Sequence, residues 1–172
     1  MAFLWIFLSA FFCLADSSFH DFSSSLTDAT RSFIDLCRHS GFIVERHVVC
    51  TEDGYLLTLF RIPRMECNET RNTRPVIMQH GLLASSDSFI ANDPVNSPAF
   101  ILVREGYDVW LPNSRGTMHS KLHRDFEVDG EYMQDAFWQY SLEELGAYDN
   151  KAVIEYVLAK TGYSKVAYIG HS

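Results

Sequence analysis

The residues best suited to chemistry stand where the run KVAYIGHS leads from an apolar stretch into Gly170-His171-Ser172. A serine hydroxyl is a weak nucleophile near neutral pH, so it needs a base at hydrogen-bond distance and a backbone that holds its oxygen clear. A glycine two residues before the serine permits the strained strand-to-helix turn that does the second job, and the following helix points its N-terminus at the reacting carbonyl. Gly170 and Ser172 form the first half of such a Gly-x-Ser-x-Gly pattern, which makes Ser172 the candidate nucleophile. Acyl transfer also needs two N–H donors aimed at the charge developing on the substrate oxygen. One comes from the residue after the serine. His80-Gly81-Leu82 suits the other, because Gly81 lets the backbone turn sharply so that the Leu82 N–H faces a cleft. No cofactor is implied, since acyl transfer by a serine requires none.

Those residues must be positioned by the elements between them. Leu26, Ala29, Thr30, Phe33, Leu36 and Cys37 recur at helical spacing, with Gly41 as a stop. FIVERHVVC and GYLLTLFRIP read as two strands of a hairpin joined through Thr51-Glu52-Asp53-Gly54, where Asp-Gly predicts a tight turn with positive φ angles. Pro75–His80 is a short apolar strand, Pro98–Glu105 a helix ended by Gly106, and Tyr107–Leu111 a strand that Pro112 breaks. Residues 117–139 read as irregular with aromatic islands. Ser141-Leu142-Glu143-Glu144 has capping-box spacing, and Leu142, Leu145, Ala152, Val153, Tyr156 and Val157 predict a core-facing helical stripe down to Gly162. Lys165–Gly170 is the fifth predicted strand. A hairpin followed by strand, helix, strand, helix, strand predicts an α/β sheet with parallel later strands and helices on both faces. Ligands of such sheets bind at the carboxyl ends of the strands, where both candidate sites fall.

Composition narrows the class of partner. At 172 residues, 47% hydrophobic and 21% charged, the chain has material for one ordinary core. A net charge of −8, from 14 Lys and Arg against 22 acids, excludes a nucleic-acid partner, which would need a basic face. The apolar run Ala2–Ala15, broken only by Ser9, is shorter than the roughly 20 residues of a membrane-spanning helix and reads as a cleaved secretory signal. Asn68-Glu69-Thr70 is a glycosylation acceptor in a polar loop, consistent with export. With Cys13 removed in the signal, Cys37, Cys50 and Cys67 leave an odd thiol.

Weaker candidates have plainer readings. His119 and His123 have i, i+4 spacing, but no Cys or carboxylate pattern completes a metal set, and solvated loop histidines are the expectation; no metal is assigned. Asn113-Ser114-Arg115-Gly116 reads as a structural turn after Pro112. Phe137, Trp138 and Tyr140 read as core packing, and His80 and His171 as structural residues flanking the cleft.

The motifs HVVCTEDGYLLTLFRIP, VIMQHGLLASSDSFI, GYDVWLPNSRG, FWQYSLEELGAYD and YIGHS occur in that order between Gly41 and Ser172. In this the chain resembles the acid lipases, the family of gastric and lysosomal acid lipase within the α/β-hydrolase fold. One departure is Pro112, where these lipases usually have Gly. Residues 1–15 read as signal peptide and 16–40 as an N-terminal helical segment, and the resemblance implies 41–172 as the N-terminal portion of the lipase domain, truncated after the fifth strand. It implies Ser172 as nucleophile, the Leu82 N–H as oxyanion donor, and continuation as Gln-Gly. It further implies a lipid ester substrate, triacylglycerol or cholesteryl ester, met at a lipid–water interface by a secreted or lysosomal protein. An esterase acting on soluble esters, and a non-enzymatic secreted lipid- or partner-binding protein, are the alternatives.

In this fold the triad follows the chain order Ser, Asp or Glu, His, so the catalytic acid and base would lie after Ser172. Loss of the base alone costs about 10⁶ in rate. A purified polypeptide of residues 1–172 is therefore expected to hydrolyse no medium-chain ester; Ser172-dependent turnover by it would contradict this.

Overall fold

The computed structural model describes residues 32–64, 74–125 and 134–171. The leader, the start of the first predicted helix, Cys67, the Asn68 sequon and Ser172 lie outside those residues.

Helix α1 (Phe33–His39) begins at Ser32, whose hydroxyl accepts from the Asp35 N–H at 3.3 Å, and ends before Gly41 at φ 82°. Phe33 and Cys37, one turn apart, are buried on its inner face. Strands β1 (Glu45–Cys50) and β2 (Tyr55–Ile62) pair antiparallel from Glu45↔Arg61 to Cys50↔Leu56. Their connection differs from the two-residue type that Asp-Gly suggests. Only Gly54 has positive φ, at 101°; its N–H donates to the Thr51 carbonyl at 3.1 Å, and the Thr51 N–H donates to the Tyr55 carbonyl at 2.9 Å. This is a three-residue loop closed by a left-handed glycine.

Strand β3 (Pro75–Gln79), a 3₁₀ turn (Ser86–Phe89), α2 (Pro98–Arg104) and β4 (Asp108–Pro112) follow. Strand β4 runs on to include Pro112, which sits opposite Leu59 of β2. Within the stretch read as irregular, Leu122–His123 forms a short strand β5 paired with Leu56 and Tyr55, so the last strand is the sixth rather than the fifth. The chain continues through α3 (Gln134–Phe137), α4 (Leu142–Glu144), a π-helix (Leu145–Asn150), α5 (Lys151–Thr161) and β6 (Ala167–Gly170). The capping box is present: the Ser141 hydroxyl accepts from the Glu143 N–H and Glu144 reaches back to the Ser141 N–H at 2.7 Å. Gly162 ends α5 in the left-handed region, as expected.

The sheet order is β1-β2-β4-β3-β6, with β3 parallel to both β4 and β6. Period-2 alternation splits the buried side chains between two faces. Phe60, Ile62, Val76, Met78, Val109 and Leu111 pack with α1 and α2, while Leu57, Leu59, Ile77 and Trp110 pack with Phe137 and with Val153 and Val157 of α5. From β3 the chain thus crosses by one face to β4, and later by the other face to β6. The carboxyl end of β3 is the switch point of the topology, where a crevice opens.

The hairpin loop carries a titratable group. Burial alone would raise the Asp53 carboxyl, but hydrogen bonds from Arg115 and Thr51 outweigh it and hold Asp53 below its ordinary 3.8. The unfolded chain then binds more protons than the folded one, so this contribution is present above the ordinary carboxylate value and is lost as pH falls through the lowered one. Asp53→Asn is expected to lower the melting temperature at neutral pH, with the two stability curves converging below pH 3.8; parallel curves in calorimetry across that range would contradict the assignment.

Candidate active site

A cleft of about 800 Å³ opens at the carboxyl ends of β3 and β4. The loop after β3 (His80 to Ser85), the turn after β4 (Ser114 to Met118), Trp138, Tyr140, Leu142 and two residues of the π-helix, Leu145 and Asn150, line it.

Gly170 stands opposite Gln79 in the parallel β3–β6 register, and the His171 N–H extends the ladder by donating to the Gln79 carbonyl at 3.0 Å. The backbone leading to Ser172 and the loop carrying Leu82 therefore leave the sheet side by side; Ser172 itself lies outside the described residues. Leu82 is two-thirds exposed, and among the described residues its N–H has no acceptor. The turn is made differently from the expectation. The Ala84 N–H donates to the Gly81 carbonyl at 3.1 Å, and the left-handed residue is Leu83, at φ 62°, rather than Gly81.

His80 is buried and structural. Its Nδ1 lies 2.9 Å from the Gly81 carbonyl, and its Nε2 accepts from the Ser114 N–H at 3.2 Å. That pattern requires the neutral ring with its proton on Nδ1, in agreement with burial pushing its pKa below the ordinary 6.5. With the Nε2 lone pair engaged, His80 is not available as a base.

Arg115 is the most strongly held group in the site. Its side chain is buried, and its fork donates to Asp53 at 2.6 and 3.0 Å and through Nε to Asp149 Oδ1 at 2.8 Å, with Nη2 in ion-pair contact with that oxygen at 2.7 Å, while its backbone N–H donates to Asp149 Oδ2 at 2.9 Å. The guanidinium also sits 3.9 Å from the centroid of the Tyr55 ring. These contacts hold Arg115 charged. Burial pushes Asp149 above its ordinary value while the Arg115 bonds pull the other way. The structural reading of Asn113-Ser114-Arg115-Gly116 is thus supported with partners that local spacing could not reveal, 34 and 62 positions from Arg115. Gly116, at φ 81°, passes so close to Trp138 and Tyr140 that a Cβ there would lie 2.6 Å from Trp138 Cζ3 and would overlap the Tyr140 hydroxyl. Of the aromatic trio Phe137 is fully buried in the core, Tyr140 packs against that core and also lines the cleft, and Trp138, half exposed, forms cleft wall.

The histidines of 119–123 are not solvated, contrary to expectation. His119 Nε2 lies 2.6 Å from Asp87 Oδ2, and His123 Nε2 lies 3.0 Å from the Asp53 carbonyl, beneath Gly54. They face different partners and share no ligand site among the described residues. Cys37 is a buried thiol pushed up to about 12 by burial and then by the Asp87 charge, and Cys50 is an exposed thiol.

A family model described as alpha/beta hydrolase fold matches residues 74–172. The chain belongs to the α/β-hydrolase family. A second model, described as a partial alpha/beta-hydrolase lipase region, matches residues 33–93. Lipase member M of Mus musculus is 42% identical over 147 residues, 84% of this chain and 34% of that protein. Lysosomal acid lipase/cholesteryl ester hydrolase of Homo sapiens is 42% identical over 140 residues, 80% of this chain and 34% of that protein. Within the α/β-hydrolases the chain is therefore similar to acid lipases, and it spans about a third of the length of these curated relatives. The solved structure of the Pyrococcus furiosus esterase Pf2001 aligns with a TM-score of 0.51 and 18% identity over 77% of this chain and 42% of that one, a likeness of fold.

Arg115→Met in this member of the α/β-hydrolase family leaves Asp149 buried without its cation. The expected cost is about 3–5 kcal/mol, and adding Asp149→Met should recover most of it. Urea unfolding of the single and double variants measures this; equal stability of Arg115→Met and wild type would contradict the role assigned to the pair.

Proposed function

We propose that the protein is a serine hydrolase of lipid esters, triacylglycerol or cholesteryl ester, secreted from the cell or delivered to the lysosome. In this reading Ser172 attacks the ester carbonyl and the Leu82 N–H donates to the oxyanion. The observation that carries it is the parallel register of Gly170 opposite Gln79, which brings the Gly170-His171 backbone and the Leu82 loop to the same sheet end. A tetrahedral oxyanion formed there would find an N–H donor already unpaired among the described residues, so no hydrogen bond has to break as charge develops.

The cleft rim favours lipid over soluble esters. Leu82, Leu83, Met118 and Leu142 are all more than half exposed around it, and burying an acyl chain against such surface is worth about 25 cal/mol per Å². Similarity to the human lysosomal acid lipase/cholesteryl ester hydrolase supports the same substrate class. The general base would come from another part of the protein, since both ring nitrogens of His80 are engaged.

In the full-length protein, Ser172→Ala is expected to reduce hydrolysis of a triacylglycerol emulsion by about 10⁶ and to abolish labelling by a fluorophosphonate. Leu82→Pro, which removes the N–H, should lower kcat by roughly 10²–10³, whereas Leu82→Ala, which keeps it, should change kcat little. Retained hydrolysis in Ser172→Ala with a normal melting curve overturns the nucleophile. An absence of hydrolysis and labelling in the wild type would favour a non-enzymatic binder, and turnover confined to soluble esters would favour an esterase.

A further inference from the structure

We infer that Asp87 and His119 are positioning residues for the oxyanion donor, a pair that pins the loop carrying Leu82 to an immobile post on the sheet; the inference rests on the role proposed for the Leu82 N–H.

The tip of the loop from Gly81 to Ser85 cannot fix itself through its own side chains. Leu82 is 66% and Leu83 99% exposed, so neither is anchored by packing. Leu83 occupies the left-handed region, a conformation that a residue with a branched Cγ keeps only when its surroundings over-determine it. The restraint must come from the two ends of the loop. At the leading end, His80 is bonded to the Gly81 carbonyl and the Ser114 N–H. At the trailing end, Asp87 Oδ2 accepts from the Ser85 hydroxyl and lies at hydrogen-bond distance from His119 Nε2, both at 2.6 Å, and the Ser86 N–H donates to Asn113 Oδ1 at 3.0 Å.

His119 is a firm post. Its ring meets Phe60 and Phe33 edge-on at 5.3 and 6.3 Å, and its carbonyl accepts from the Thr58 hydroxyl at 2.6 Å. The adjacent Ser120 hydroxyl accepts from the Thr58 N–H and donates to the Asn113 carbonyl, both at 2.9 Å. A continuous chain of short bonds thus runs from Ser85 through Asp87 and His119 to the middle of β2. Neither Asp87 nor His119 lines the cleft, so each acts through the loop and not on substrate.

The surroundings keep Asp87 available as an acceptor. Burial alone would raise its carboxyl, but hydrogen bonds from His119 and Ser85 hold it below its ordinary value. The other titratable groups near it are Cys37 on α1, whose buried thiol stays protonated, and His80, whose buried ring stays neutral. His119 is therefore its ionisable donor among the described residues.

The test is a set of single and combined variants of the full-length protein, assayed on a triacylglycerol emulsion. Asp87→Asn and His119→Ala should each lower kcat by roughly 10-fold, less than outright loss of a donor, with KM changed by less than about twofold. His119→Gln, whose amide nitrogen reaches the position of Nε2, should restore most of the rate. In a Leu82→Pro background, Asp87→Asn should cause no further loss, because the donor it positions is already gone. If Leu82→Pro leaves kcat unchanged, the donor role itself fails. If Leu82→Pro lowers kcat while Asp87→Asn is silent, or multiplies with it, the positioning role is overturned and the donor role stands. Should His119→Ala fail to fold, the near-isosteric Asp87→Asn and His119→Gln, checked by melting temperature, still decide the outcome.

Discussion

One buried guanidinium organises the elements that frame the cleft. Arg115 is surrounded by carboxylates from two distant segments, the hairpin turn and the π-helix, and by the face of Tyr55. Removing an arginine from water costs several kcal/mol, and only a nearly complete set of hydrogen bonds offsets that cost. A planar fork with five donors can satisfy two carboxylates at once, which a lysine could not do in the same geometry. The turn after β4 is consequently locked to the β1–β2 loop and to the helix that leads into β6, so the elements framing the cleft share one electrostatic centre.

Two local irregularities of the backbone adjoin that centre. A π-helix replaces the regular turn where Leu145 to Asn150 must present Asp149 to Arg115 and also keep Leu145 and Asn150 at the cleft. Gly116 must lack a Cβ because Tyr140, whose hydroxyl donates to the Arg115 carbonyl, and Trp138 close over it. Both of these departures from ideal geometry sit beside the cleft, as expected where strain is tolerated for a purpose.

The two sides of the site differ in how they are held. The β6 side is positioned by ladder hydrogen bonds to β3, which are regular and cooperative. The Leu82 side depends on side chains instead: His80 at one end of the loop, Asp87 and His119 at the other. Two ends tied to β2 and β4 leave the apolar tip exposed without leaving it loose.

Much of this architecture was legible in the sequence, because it depends on local pattern. The alternation of Val76, Ile77 and Met78, the capping box at Ser141 and the stop glycines at 41, 106 and 162 each act over a few residues, so a linear reading finds them. The Gly170-His171-Ser172 and His80-Gly81-Leu82 motifs were recognisable for the same reason, and strand order then set Gly170 opposite Gln79, the residue before His80. What the sequence could not reveal were pairings between remote segments: Asp53 and Asp149 on Arg115, Asp87 on His119, and β5 on β2. Nothing in the types of these residues separates a solvated carboxylate or imidazole from a buried, partnered one. That distinction is made by desolvation, which exists only once tertiary packing has closed around the group.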